Sequence, residues 1–281
     1  MANPFAKRSS PSTWLLYLGL AAGLLFACFP IVWMFFTSLK SNTEIFALPP
    51  RLLPKVFTLS AYQSILTDPV KLRFFLNSYL VAGVVTLLTV FVAILAAYGF
   101  SRYEFRLKKI SNLLVISTQT VPPITLLIPY FGMVVAFGIF NTYYALILTY
   151  MVFTLPYAIL LMTGYLNTLP KELDEAVLVD GGSSWTALWR VIVPISIPGI
   201  VATSVYTFLL SWNEFLFALT LTKSMSMRTV PIGISLLMGQ HAFEWNEMMA
   251  MSVLGALPLL LLYLIAQRYF LAGMTAGSVK S

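Results

Sequence analysis

Six apolar runs of about 20 residues or more divide this chain, at roughly Trp14–Ser38, Leu76–Phe100, Leu113–Phe137, Tyr143–Tyr165, Ile195–Leu219 and Met248–Phe270. No other feature restricts the fold as much. Hydrocarbon offers no partner to a backbone N–H or C=O, so each run must satisfy its own hydrogen bonds as a helix. The expectation is an all-α, polytopic membrane protein with six transmembrane helices. An even number of spans leaves both termini on one side, and Lys7 and Arg8 ahead of the first run assign that side to the cytoplasm. With 59% hydrophobic residues, 10% charged residues and a mean hydropathy of +0.87, the chain is not an ordinary soluble domain.

The net charge of +7 suits anionic lipid and cytoplasmic loops better than nucleic acid, because the Lys and Arg lie between apolar runs. The loop after the second run, with Arg102, Arg106, Lys108 and Lys109, is the clearest cytoplasmic segment by charge. Across the whole chain the bias is thin, 10 basic residues inside against 7 outside. One cysteine (Cys28) and one histidine (His241) exclude an internal disulfide and leave no metal-ligand set. Leu25–Cys28 faintly resembles a lipoprotein cleavage site, but the apolar run continues through Phe36, so a retained helix is expected.

Polar residues inside the runs mark where a bundle interior or pathway should be. Thr118, Gln119 and Thr120 precede the kinking pair Pro122–Pro123 in the third run, and are expected to face inward. The fifth run carries Ser211-Trp212-Asn213-Glu214 towards its outer end. An acid near a span invites a functional reading. Glu214 is left open between a pathway or partner-contact role and a plain interfacial charge. Gln119, Trp212 and Asn213 are candidate pathway residues, since amides can hydrogen-bond a polar solute and an indole can stack on it; bundle packing is the competing role. Outside, a proline-rich segment runs from Lys40 to Arg73, and a second loop, Thr222–Glu247, ends in Glu244-Trp245-Asn246-Glu247.

Between the fourth and fifth runs the chain turns polar: Glu175 to Pro194 reads EAVLVDGGSSWTALWRVIVP. Pro170 is expected at the first position of a short helix, with Glu172, Asp174 and Glu175 at its positive end. Glu172 and Glu175 should share a face, with Leu173 and Ala176 turned away. Gly181 is placed to stop that helix in a left-handed conformation, and Ser183 or Ser184 to cap the next. There Trp185, Leu188 and Trp189 form one apolar face, and Pro194 closes the unit. A loop that only crosses between spans has no use for so much structure.

This stretch resembles the EAA loop of binding-protein-dependent ABC importer permeases: Glu-Ala-Ala, three residues, Gly, nine residues, Ile-x-Leu-Pro. Here it reads Glu175-Ala176-Val177, Gly181 with Asp180 before it, then Val191-Ile192-Val193-Pro194. Val177, Val191 and Val193 depart from the pattern by apolar swaps. Ser38–Tyr62 and the tail Leu271–Lys280 are similar to the same segments of maltose-type sugar permeases. The resemblance implies a type I ABC importer permease fold: residues 1–70 as tail, first helix and extracytoplasmic segment, 71–270 as the core with its EAA loop at 166–194, and 271–281 as a cytoplasmic tail.

It further implies half the translocation path of an ATP-driven sugar or oligosaccharide importer in a bacterial or archaeal cytoplasmic membrane. The implied partners are the lipid bilayer, a homologous second permease, two ATPase subunits and an extracytoplasmic solute-binding protein. Glu172, Glu175, Ala176, Asp180, Gly181 and Pro194 would couple to the ATPase, Thr275 and Gly277 of the tail would reach it, and Glu244, Trp245 and Asn246 would meet the binding protein. In the maltose system the sugar site lies mainly on the partner permease, so this chain need hold none. No phosphate loop, nucleophile motif, paired carboxylates or metal spacing occurs, so no catalytic or metal residues are assigned. The chain is expected not to be an enzyme, with ATP and magnesium on the partner ATPases.

Three alternatives remain at this point. An ion-coupled secondary transporter usually has mid-membrane charges or inverted repeats, which the runs lack. A membrane-embedded enzyme would need clustered His, Asp or Glu. A permease for a phosphorylated polyol or other solute would share the same fold.

Overall fold

The computed structural model describes residues 11–239 and 244–278, and it is mostly helical. Lys7, Arg8, His241 and Lys280 lie outside the described residues. The elements in order are α1 Pro11–Ser38, α2 Asn42–Ile45, α3 Ser60–Thr67, α4 Pro69–Arg102, α5 Lys108–Thr118, a 3-10 turn Pro123–Leu126, α6 Leu127–Ala136 and α7 Tyr143–Leu166. Next come α8 Glu172–Val179, α9 Ser184–Ala187, a π turn Leu188–Ile192, α10 Val193–Ile195, α11 Ile197–Trp212 and α12 Leu216–Leu221. A 3-10 turn Met225–Met227, α13 Val230–Leu236 and α14 Trp245–Ser278 complete the described elements. By length and apolarity Trp14–Ser38, α4, α7 and Trp245–Arg268 can each cross a membrane, and two bent pairs raise the number to six if each is one span.

The bent pairs correct two expectations. The third run is not one helix: α5 ends at Thr118, and the chain resumes at Pro123 after a bend of 95°. Pro122 and Pro123 lack the N–H groups a continuing helix needs. The fifth span starts earlier and ends earlier than its apolar run. It joins Ser184–Ile195 to α11 through a 76° bend, and α11 stops at Trp212, ahead of a break at residues 213–215. The second run extends the other way. Asp68 caps Val70 N–H (2.8 Å) and Pro69 occupies the first turn, so α4 begins seven residues before Leu76.

The chain forms two compact units, residues 1–67 with 237–254, and residues 68–236 with 255–281. In the first, the apolar surface of α1 is exposed along its length. Lys40 is buried, with Nζ donating to the Arg51 carbonyl and lying over the Trp33 ring. Ser38 Oγ and the Tyr62 hydroxyl share a hydrogen bond (2.7 Å). Asn42 donates to Glu244 Oε2 (2.5 Å) and accepts from Asn246 N–H (3.3 Å), which ties the start of α14 to α2.

The second unit is built on α4, α7 and α11 packed against one another. Ala93, Ala97 and Ala158 are wholly buried where α4 meets α7, and such small side chains let two backbones approach in lipid. A buried polar pair between α4 and α7 is satisfied: Thr89 and Thr154 share a hydrogen bond (3.0 Å). After α4 the chain leaves the bundle through Tyr103–Leu107, where Lys108 donates to Glu104 Oε1 (2.7 Å) and holds that carboxyl below its ordinary range.

Candidate functional site

The α8–α10 hairpin is built as expected at its turn and differently at its root. Gly182 N–H reaches Val177 O (2.8 Å) and Gly181 N–H reaches Leu178 O (3.1 Å), the paired bonds of a Schellman cap, with Gly181 at φ +81°. Ser183 caps α9 by accepting from Thr186 N–H (3.2 Å). Pro170, however, lies two residues ahead of α8 rather than in its first turn. Pro194 does not end the unit: it sits within α10, and the bend comes at Ser196. The π turn before it widens the helix, which gives the proline ring room against the preceding carbonyls.

The charges of α8 divide. Glu172 and Glu175 are exposed, whereas Asp174 is buried. Arg102 at the end of α4 reaches it with Nε at 2.7 Å from Oδ2, and the Tyr98 hydroxyl donates to Oδ1 at 2.6 Å. Arg102 Nη1 also donates to the carbonyls of Leu166 (3.2 Å) and Leu169 (3.3 Å), at and just past the end of α7. One cation therefore clamps α4, the end of α7 and α8 together.

Ala176, expected to turn away from the two glutamates, is exposed beside them; of the pair with Leu173, only Leu173 packs on the core. In the second helix Trp185 and Trp189 pack edge to face (5.7 Å), as their spacing leads one to expect, although their burial differs. Leu188 is buried, Trp189 stacks on Phe91 (6.1 Å), and Trp185 projects outward with 62% of its surface exposed. Leu178 and Val179 are exposed too. The hairpin presents an acidic and apolar surface on a rigid, clamped base.

A second feature lies within the bundle, a cavity of about 470 Å³. Its wall contains both helix breaks, through Gln119 and Pro123 of the first and Glu214 and Leu216 of the second. Irregular backbone at membrane depth is tolerated only where protein buries it or where it lines a cavity. Glu214 is half-buried and caps α12, accepting from Phe217 N–H (2.8 Å) and Ala218 N–H (2.9 Å). Its neighbours on this wall are Tyr130, Tyr150, Tyr157 and Tyr206.

The other two sequence candidates lie off the cavity. Trp212 is buried, donating to Gly255 O (3.1 Å) and stacking on Phe208, so its ring is engaged in helix packing. Asn213 is exposed and donates back to Leu209 O (2.8 Å). Sequence reasoning missed the tyrosines, although α7 gives the signal: Tyr150 and Tyr157 are seven residues, two helical turns, apart and share a face. Glu244 is exposed and bound to Asn42, while Trp245 and Asn246 open α14. Thr275 and Gly277 fall within α14, which continues past the expected end at Phe270; their side chains lie outside the described residues.

Residues 89–275 match the family described as binding-protein-dependent transport system inner membrane component. The chain belongs to that family. It is a multi-pass permease subunit of an ABC transporter, a transport component whose ATPase is a separate chain. The permease is 36% identical over 270 residues to the trehalose/maltose transport system permease protein MalG of Thermococcus litoralis, covering 95% of this chain and 96% of that one. It is 34% identical to the sulfoquinovosyl glycerol transport system permease protein SmoH of Agrobacterium fabrum, covering 90% and 88%. A crystal structure of a bacterial ABC transporter involved in alginate import shares the fold, with a TM-score of 0.79 at 20% identity over 95% of this chain and 100% of that one. The permease thus has the type I ABC importer fold.

Proposed function

We propose that this permease forms half of the translocation path of an ATP-driven sugar or oligosaccharide importer, coupled to its ATPase through the α8–α10 hairpin. The observation that carries the coupling is the outward surface of that hairpin. Glu172, Glu175 and Ala176 stand exposed beside Leu178, Val179 and Trp185, on a base held by the buried Arg102–Asp174 pair. Acidic groups suit basic residues on a partner, and exposed apolar side chains suit a groove. The sugar is supported by the relatives, which include a trehalose/maltose and a sulfoquinovosyl glycerol permease.

In this reading a homologous permease completes the path, two ATPase subunits bind ATP and magnesium, and an extracytoplasmic binding protein delivers the sugar. Both termini lie in the cytoplasm. Asp180, Gly181 and Pro194 shape the coupling hairpin, and the region of Thr275 and Gly277 reaches the ATPase. Glu244, Trp245 and Asn246 face the binding protein. Closure of the ATPases moves the hairpin and the helices clamped to it as a body.

The test is labelled-sugar uptake and ATP hydrolysis in proteoliposomes of the assembled complex. Glu175→Ala should lower uptake and binding-protein-stimulated hydrolysis together, by roughly tenfold, the effect of losing a central interface contact. Uptake that stays at the wild-type level moves the coupling surface elsewhere. Uptake that needs no ATPase and follows an ion gradient would replace the importer reading with that of a secondary transporter.

A further inference from the structure

The cavity between the two helix breaks has properties that packing alone does not account for. Its volume, about 470 Å³, lies within the range of small-molecule sites. Two polar atoms on its lining residues are buried without a close hydrogen bond among the described residues, Gln119 Nε2 and the Tyr150 hydroxyl, the latter next to the Glu214 carboxylate. Buried polar groups are normally paired, and Tyr150 is only 2% exposed. Around them stand the rings of Tyr130, Tyr157 and Tyr206, the last two with centroids 5.7 Å apart. Buried polar groups ringed by aromatic faces match a polyhydroxylated ring, whose hydroxyls need hydrogen bonds and whose C–H faces lie well on aromatic rings.

Charge narrows the class. Glu214 is the one ionisable acid or base, apart from tyrosines, among the described lining residues, and no Lys, Arg or His accompanies it. A carboxylate or phosphate on the ligand would meet Glu214 with no cation to offset the repulsion in a site of low dielectric. A neutral ring meets no such cost, and the carboxylate edge, although it caps α12, still has lone pairs to accept from a hydroxyl.

We propose that this cavity is a substrate subsite on this subunit itself, taking a neutral glycosyl unit and rejecting uronic-acid and phosphorylated ones. The proposal deepens the importer reading and rests on it. Tyr150 and Gln119 are the hydrogen-bond donors, the Tyr157–Tyr206 pair is the stacking wall, and Glu214 is the selectivity residue. The subsite lies beside the bend that interrupts the third span and the turn that follows α11, so the ligand is bound by side chains and by irregular backbone rather than by a smooth helical surface.

The test uses the whole complex in nanodiscs, without the binding protein, and two probes, maltose and a disaccharide of the same length ending in glucuronic acid. Saturation-transfer NMR, which reads weak binding, should detect maltose and not the uronate. Tyr150→Phe combined with Gln119→Leu should raise the maltose Kd by about tenfold, as expected when two hydroxyl partners are lost. Glu214→Gln should bring uronate binding within about tenfold of maltose. Independently of any variant, a photoreactive maltoside should label wild-type peptides of this chain that hold Gln119 to Tyr130 or Tyr150 to Tyr157. Labelling confined to the other subunits, an unchanged maltose Kd in an assembled double variant, or equal binding of both sugars by wild type overturns the subsite. Wild-type uptake of sugar without cavity binding sinks only this proposal, whereas no ATP-driven sugar uptake at all sinks the importer reading.

Discussion

Arg102→Ala is expected to destabilise the permease by roughly 3–5 kcal/mol, the range for removing one partner of a buried ion pair. The side chains of Arg102 and Asp174 retain only 6% and 13% of their exposure, so water cannot take over the lost contact. The variant leaves the Asp174 carboxylate with the Tyr98 hydroxyl as its remaining side-chain donor, and strips the end of α7 of the donor to Leu166 and Leu169. Arg102→Lys should rescue little, because one ammonium cannot span the same fork of acceptors. In the purified complex the melting temperature should fall by on the order of 10 °C, and coupled ATP hydrolysis should fall with it as α8 loses its anchor. The apolar pair Arg102→Met with Asp174→Leu should recover much of the melting temperature, since two buried charges are replaced together. A shift below about 2 °C for Arg102→Ala, under about 1 kcal/mol for a chain of this size, would show that the clamp is not what holds the hairpin.

That clamp also shows where a sequence stops being legible. The turn of the hairpin could be read locally. Gly181 must take a positive φ, Ser183 can cap with its own hydroxyl, and both requirements lie within a few residues. The fate of Asp174 could not. Three acids at one helix end all look like complements to the dipole, and what sends one inward is an arginine 72 residues earlier in the chain. An amphipathic pattern gives the faces of an ideal helix, but the π turn at Leu188–Ile192 changes the angular register of the second arm.

The spans repeat the lesson at larger scale. Apolar length revealed that membrane helices exist and nearly where, because hydrocarbon enforces it. It did not reveal continuity. Pro122–Pro123 marked a kink, yet a bend of 95° that lines a cavity depends on α7 and α11 standing opposite. Trp212 and Asn213 sit one and two residues before Glu214, but a helix turns about 100° per residue, so neighbours in sequence need not share a wall. Gln119 and Glu214 reached the cavity, while Trp212 went into packing against Phe208 and Gly255.

Gly199→Ala should have the second large effect, and a single methyl group decides it. Gly199 lies in the first turn of α11, just beyond the 76° bend, where that helix leans on the last turns of α7. A Cβ at this position would come within 2.4 Å of Tyr165 Cγ and within 2.8 Å of both Cδ atoms. These atoms lie at the root of the ring, one bond from the Tyr165 Cβ, so no small rotamer adjustment clears them. Either the ring leaves or α11 lifts away from α7 beside the point where the hairpin departs. Overpacking of this kind costs about 1–3 kcal/mol, and the displaced helix should also reduce sugar uptake per ATP hydrolysed. Gly164→Ala, one residue from Tyr165, supplies the contrast, because its Cβ meets nothing within 4 Å. That substitution should be neutral or stabilise by up to about 1 kcal/mol through helix propensity. Tyr165→Leu in the Gly199→Ala background should restore part of the melting temperature by shortening the opposing side chain. Equal melting temperatures for Gly199→Ala and Gly164→Ala would mean that α7 and α11 do not meet as closely as the geometry requires.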